Sequence, residues 1–131
     1  MKKNGILNSE ISKVLADLGH TDQIIIGDCG LPIPQGVKKI DLALEIGEPK
    51  FIDVLNVVLK EMQIEKYFLA NEVKEKNKGQ LEEIEKSMGK TELEWLSHEE
   101  LKQQSQRVKA IIRTGEATPY SNIILQSGVI F

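Results

Sequence analysis

The stretch Gln23-Ile24-Ile25-Ile26-Gly27, followed at once by Asp28-Cys29-Gly30-Leu31-Pro32-Ile33-Pro34-Gln35-Gly36, decides the fold. Three successive isoleucines ended by glycine and polar residues predict a strand, because β-branched side chains are stiff and pack well on a pleated surface. Neighbouring side chains of a strand point to opposite faces, so an unbroken apolar run means that both faces are covered. A helix-covered sheet is the setting for such a strand. Two prolines and two glycines in residues 28–36 exclude regular structure there, so the strand feeds a defined loop.

On the N-terminal side, Ile11, Val14, Leu15 and Leu18 recur at helical spacing. Asn8 or Ser9 is placed to cap that helix, and Gly19 to stop it in a left-handed conformation. Downstream, Ile40, Leu42, Leu44 and Ile46 alternate with other residues and predict a strand or extended edge. A helix follows Pro49, with Ile52, Leu55, Val58, Leu59 and Met62 on its apolar face. Residues 65–70 read as another strand. Residues 74–90 read as one highly charged helix whose apolar stripe is only Leu81, Ile84 and Met88. Residues 92–96 form a strand, and Ser97 with Glu100 is a capping box opening a short helix. Residues 107–113 and 122–126 are further strand candidates. With no repeat or linker, residues 1–131 form a single α/β domain: three layers, α/β/α, around a central mostly parallel or mixed sheet.

Composition narrows the function. The 131 residues carry 17 basic and 20 acidic side chains, a net charge of -3, which disfavours a dedicated nucleic-acid binder. One cysteine excludes an intramolecular disulfide and a multi-cysteine zinc site. The opening MKKNGILNSE turns polar too soon for a signal-peptide core, and no apolar run is long enough to span a bilayer, so a cytoplasmic protein without membrane contact is expected. No phosphate-binding glycine motif is present.

Few residues are left to do chemistry. Of the two histidines, His20 lies in a polar stretch before the 23–27 strand, and His98 lies in the first turn of the helix capped by Ser97. A neutral imidazole with one donor and one acceptor nitrogen suits sugar-hydroxyl recognition or base catalysis. Asp28 stands where open α/β sheets collect ligands, beyond the carboxyl end of a strand, on a rigid loop. Tyr120, Ser121 and Asn122 put a ring face, a hydroxyl and a carboxamide just before an apolar strand. One difficulty is plain: His20 precedes the strand and Asp28 follows it. Within one subunit the two share a pocket only if the chain bends back, and a site built from two subunits is the other solution. Cys29 has no histidine beside it in sequence and reads as a spectator thiol. The histidines have no metal-ligand spacing, so no metal is expected.

Together, several blocks resemble the D-ribose pyranase family, small cytoplasmic sugar mutarotases that include fucose mutarotases. They are MKKNGILN at 1–8, LGHTD at 18–22, DCGLPIP at 28–34, residues 37–42, SHEELK at 97–102, RTGEATPYSN at 113–122 and GVIF at 128–131. Their order and spacing span the chain. The resemblance implies an enzyme that interconverts the β-pyranose form of D-ribose with the β-furanose form a ribokinase can use, with no metal and no organic cofactor. It implies that His20 is the acid/base residue and that Asp28, His98, Tyr120, Ser121 and Asn122 contact the sugar. It also implies pentameric rings, often stacked into decamers, with sites between neighbouring subunits. Cys29 and Ser121 depart from the family pattern, standing where alanine is usual; Cys29 adds an oxidation liability near the pocket. The alternative is a non-catalytic ribose-binding or transport-associated protein. A phosphohistidine carrier using His20 or His98 and a purely structural role are further readings.

Overall fold

A computed structural model describes residues 1–131. The isoleucine run forms β1 (Gln23–Gly27), as its sequence predicts. Ile24, Ile25 and Ile26 are fully buried. Ile24 and Ile26 belong to one hydrophobic cluster and Ile25 to another, so both faces of the strand are covered. The remaining strands are β2 (Lys38–Asp41), β3 (Ile64–Ala70), β4 (Glu92–Leu96), β5 (Ala110–Arg113) and β6 (Ile123–Ser127). They form one six-stranded sheet in the order β2-β5-β1-β6-β3-β4. β1, β2 and β5 run parallel, as do β3 and β4, while β6 is antiparallel to both β1 and β3. One reversed strand inside an otherwise parallel sheet is the mixed architecture expected.

The two outer layers are unequal. On the larger side lie α1 (Ser9–Asp17), α2 (Phe51–Leu59) and α4 (Lys78–Met88), contributing Ile11, Phe51, Leu55, Val58 and Ile84 to the core. On the other side the cover is α5 (His98–Gln104), through Leu101, together with Leu31 and Val108. The short helix α3 (Val73–Lys76) precedes α4. No helix is long and apolar enough to cross a membrane.

Four local expectations are corrected, each for a visible reason. Asn8 caps α1 by accepting from the Ile11 amide at 2.9 Å, but Gly19 does not supply the left-handed stop. Leu18 leaves the helix in an extended conformation and Thr21 carries the positive φ, 71°. The strand expected from residue 40 onward ends at Asp41, whose carboxylate accepts from the Ala43 amide at 3.0 Å and turns the chain. Leu44 and Ile46 beyond it are 83% and 87% exposed, so their alternation marks no core. The charged helix is broken at Asn77, which sits at φ -154° and caps α4 by accepting from the Gln80 amide at 3.3 Å. The strand expected over 107–113 starts at Ala110, because Ser105–Arg107 form a 3₁₀ turn.

Burial on both faces predicts equal sensitivity of adjacent positions. Ile24→Ala and Ile25→Ala should each lose about 2–5 kcal/mol, read as comparable falls in urea midpoint. A near-neutral result for either would show that one face of β1 is open.

Candidate active site

Five of the six residues singled out in the sequence gather at one edge of the sheet. Asp28 follows β1, and His98 follows β4 after the Ser97 cap. Tyr120, Ser121 and Asn122 precede β6, and because β6 is reversed, its start lies at the carboxyl ends of β1 and β3. Topology alone thus brings three separate segments to the position where open α/β sheets bind ligands.

Asn122, almost fully buried, clasps Asp28 at two points. Its Nδ2 donates to Asp28 Oδ2 at 3.1 Å, and its Oδ1 accepts from the Asp28 amide at 3.0 Å. The Gly30 amide donates to the other carboxylate oxygen at 3.0 Å. Gly27 has no room for a side chain here: a Cβ would sit 2.8 Å from Leu31 Cδ2 and 2.9 Å from Asn122 Oδ1. Burial pushes the Asp28 carboxyl above its ordinary value, opposed by the donors from Gly30 and Asn122 and by the nearby charge of His98.

The rings of His98 and Tyr120 meet edge to face, 5.1 Å between centroids and 85° between planes. The Glu72 carboxylate accepts from the His98 backbone amide at 2.9 Å. His98 Nδ1 is the one buried side-chain nitrogen or oxygen in the chain without a hydrogen-bond partner. An interior imidazole nitrogen left without a partner costs about 1–3 kcal/mol. Tyr120 itself is held at a positive φ of 57°.

Ser121 behaves differently. Its hydroxyl is fully buried and engaged by Gln80 Nε2 at 2.9 Å, Thr118 Oγ1 at 2.8 Å and Asn77 Nδ2 at 3.3 Å. Asn77 also donates to Pro119 O at 2.9 Å, so the break between α3 and α4 anchors the loop that carries Tyr120. Glu116 ties the same loop to α2 and α4 by accepting from the Phe51 amide at 3.2 Å and Gln80 Nε2 at 3.3 Å. Sequence reading missed Asn77, Gln80, Glu72 and Glu116. The asparagine inside a charged helical run was the available signal for the first. The shallow cavity between residues 28–30 and 116–119 has a volume of about 260 Å³. Cys29 lines it as a free thiol, its carbonyl accepting from Arg113 Nε at 3.1 Å.

His20 lies at the other edge. Its turn precedes β1, and Thr21 donates its amide to Ser127 O, at the end of β6, at 2.9 Å. Thr21, Asp22 and the five residues of β1 separate His20 from Asp28, and the strand alone spans roughly 16 Å at about 3.3 Å per residue. The ring is 54% exposed, and its Nε2 lies 2.8 Å from Glu65 Oε2. The backbone therefore does not bend back to unite His20 and Asp28 within one chain. No three His, Cys, Asp or Glu side chains converge closely enough to hold a metal ion.

This arrangement defines a class: an α/β protein with a polar site at the carboxyl edge of a mixed sheet and an exposed imidazole at the opposite edge. The chain belongs to the RbsD / FucU transport protein family, whose model matches residues 1–130. It is 60% identical over 131 residues to a D-ribose pyranase of Bacillus cereus (strain ATCC 10987 / NRS 248), covering 100% of both chains. Its fold matches the structure of Bacillus subtilis RbsD complexed with D-ribose at a TM-score of 0.97, with 53% identity and full coverage of both chains. A fucose mutarotase from Streptococcus pneumoniae, solved with L-fucose, shares the fold at a TM-score of 0.78 and 24% identity, over 95% of each chain.

The raised Asp28 value has a definite sign. Below the unfolded-state value both states hold the proton and Asp28 is neutral in both. As pH rises through the folded value, the buried charge opposes folding, and that opposition persists above it. A ¹³C titration of the Asp28 carboxyl is expected to show a midpoint above that of an ordinary aspartate. In Asn122→Ala, which removes a donor to the charged form, the midpoint should move higher still.

Proposed function

We propose that this chain is a mutarotase that interconverts the β-pyranose and β-furanose forms of D-ribose. The full-length match to a D-ribose pyranase, at 60% identity, carries this reading. The site chemistry agrees with it. Opening a cyclic hemiacetal requires a proton to leave the anomeric hydroxyl and another to reach the ring oxygen, and closure through a different hydroxyl repeats the exchange in reverse. No covalent bond to the protein is needed. Acid/base catalysis of this kind supplies about 10²–10⁴-fold, enough for a reaction that already proceeds in water.

In this proposal His20 carries the proton to and from the ring oxygen. Asp28 fixes a sugar hydroxyl through its carboxylate, whose two oxygens are already oriented by Asn122 and Gly30. His98 and Tyr120 offer a ring wall, their rings meeting edge to face. Asn122 completes the polar rim. Ser121 contributes through its main chain, since its hydroxyl is held by Gln80, Thr118 and Asn77. Neither a metal nor an organic cofactor takes part.

Because the two halves lie at opposite edges, the proposed site forms between two copies of the chain. Large apolar side chains are exposed near both edges. Leu44 and Ile46 line a hollow with Cys29, and Ile130 and Phe131 follow β6 out of the edge that holds His20. A head-to-tail contact between different surfaces makes a ring when the rotation closes, and the family resemblance implies the assembly we propose, a pentameric ring with rings stacked into decamers. Its setting would be the cytoplasm, where a sugar kinase removes the furanose. The family description as transport proteins favours a second reading, in which the chain holds ribose without converting it.

Exchange NMR on D-ribose separates the two. Substoichiometric protein should broaden exchange between pyranose and furanose signals, which a pure binder leaves sharp. His20→Ala is expected to lose most of the roughly 10²–10⁴-fold acceleration while keeping the assembly intact; full activity in that variant would end the proton-carrier assignment. Tyr120→Ala should raise KM and leave kcat largely unchanged, because ring contacts made equally in the ground and transition states act on binding.

A further inference from the structure

His20 Nε2 lies 2.8 Å from Glu65 Oε2, and Glu65 is itself held. Gln126 Nε2 donates to Glu65 Oε1 at 2.8 Å, Gln23 Nε2 donates to Gln126 Oε1 at 2.8 Å, and Gln104 Nε2 donates to Gln23 Oε1 at 2.8 Å. Side chains from α5, β1, β6 and β3 thus form one line of hydrogen bonds ending on the imidazole.

The orientation of every group in the line follows from chemistry. An ionised carboxylate only accepts, so Gln126 must turn its NH₂ toward Glu65 and its oxygen toward Gln23. That oxygen requires the NH₂ of Gln23, whose own oxygen then receives Gln104. At the other end, Glu65 Oε2 requires a proton on His20 Nε2. Donation from Gln126, and next from His20, holds the Glu65 carboxyl below its ordinary value, so it is charged at neutral pH. In a neutral imidazole with its proton on Nε2, the lone pair resides on Nδ1. His20 Nδ1 makes no hydrogen bond within the chain.

We infer that Glu65 is a positioning residue for His20: its carboxylate, steadied by Gln126, fixes the Nε2–H tautomer and presents Nδ1 as the atom that exchanges the proton with the sugar. An exposed ion pair alone contributes little to stability and would carry no such role. Here the carboxylate is anchored on its far side by an amide that is itself anchored, so the imidazole meets a fixed partner. The backbone repeats the constraint. Asp22 Oδ2 accepts from the Gly19 amide at 2.9 Å, and Ser127 donates its amide to Asp22 O at 2.8 Å, closing the turn that bears His20 onto the end of β6.

The inference rests on the reading of His20 as the proton carrier, and the experiment separates the two. Long-range ¹H–¹⁵N spectra of histidine-labelled protein at neutral pH report the tautomer, and exchange NMR on D-ribose reports kcat and KM. The full-length protein is expected to show His20 with its proton on Nε2. Glu65→Ala should lower kcat on the order of 10-fold, a part of what acid/base catalysis supplies, with KM unchanged and a mixture of tautomers. Glu65→Gln keeps one acceptor oxygen for the Gln126 NH₂ and turns its own NH₂ toward His20 Nε2, so it should move the ring proton to Nδ1 and lower kcat as Glu65→Ala does. Wild-type kcat in Glu65→Ala, or a proton on Nδ1 in the unsubstituted protein, overturns the inference; the second readout is independent of any folding defect in a variant. If His20→Ala keeps full exchange, the proton-carrier reading falls as well. If His20→Ala is inactive while Glu65→Ala is fully active, only the role of Glu65 falls.

Discussion

Burial of three consecutive isoleucines on both faces of β1 leaves the centre of this sheet no wet face. There, polar chemistry gathers where strands end, because an interior polar group without a partner costs more than a small domain can spare. Loops at the two edges carry what the layers cannot. One edge holds Asp28, His98, Tyr120 and Asn122, and the other holds His20 and Glu65. The reversed strand β6 links them, with the Tyr120–Asn122 hydrogen bond at its start and the Gln126 contact to Glu65 near its end.

Much of this was legible in the residues. The isoleucine run gave β1 to the residue, and the Ser97–Glu100 capping box is formed in both directions. Asp28 and Asn122 were visible as candidates, since each adjoins an apolar strand in a loop rich in turn formers. Their mutual clasp was not, because 94 positions separate them and no local rule fixes which strands become neighbours. The failures have physical causes. Alternation through Leu44 and Ile46 looked like a strand because period-two patterning does not say what covers the apolar side. Asn77 was read as a helical residue because its role depends on a loop 41 residues away. Glu65 was hidden for the same reason: a glutamate at a strand start is ordinary until a histidine 45 residues earlier is placed beside it.

The two edges share a signature of stored strain. Only two non-glycine residues have a positive φ, Thr21 beside His20 and Tyr120 beside Asn122. Such conformations cost about 1–3 kcal/mol each and persist where surroundings over-determine them. The Ser127 carbonyl holds Thr21 through its amide, and the Asn122 amide donates to the Tyr120 carbonyl at 2.9 Å. At the Asp28 edge the strain is joined by a desolvated carboxylate and an unmet imidazole nitrogen.

The position of β6 in the sheet has a consequence for how the chain reaches its fold. The strand made latest of the six lies between β1 and β3. Until residues 123–127 emerge from the ribosome, β2, β5 and β1 can pair only with each other, and β3 only with β4. Two half-sheets then wait with unsatisfied inner borders, each rich in isoleucine or aromatic side chains. Borders of that kind template pairing with other chains, so the strand that joins the halves also covers two open edges.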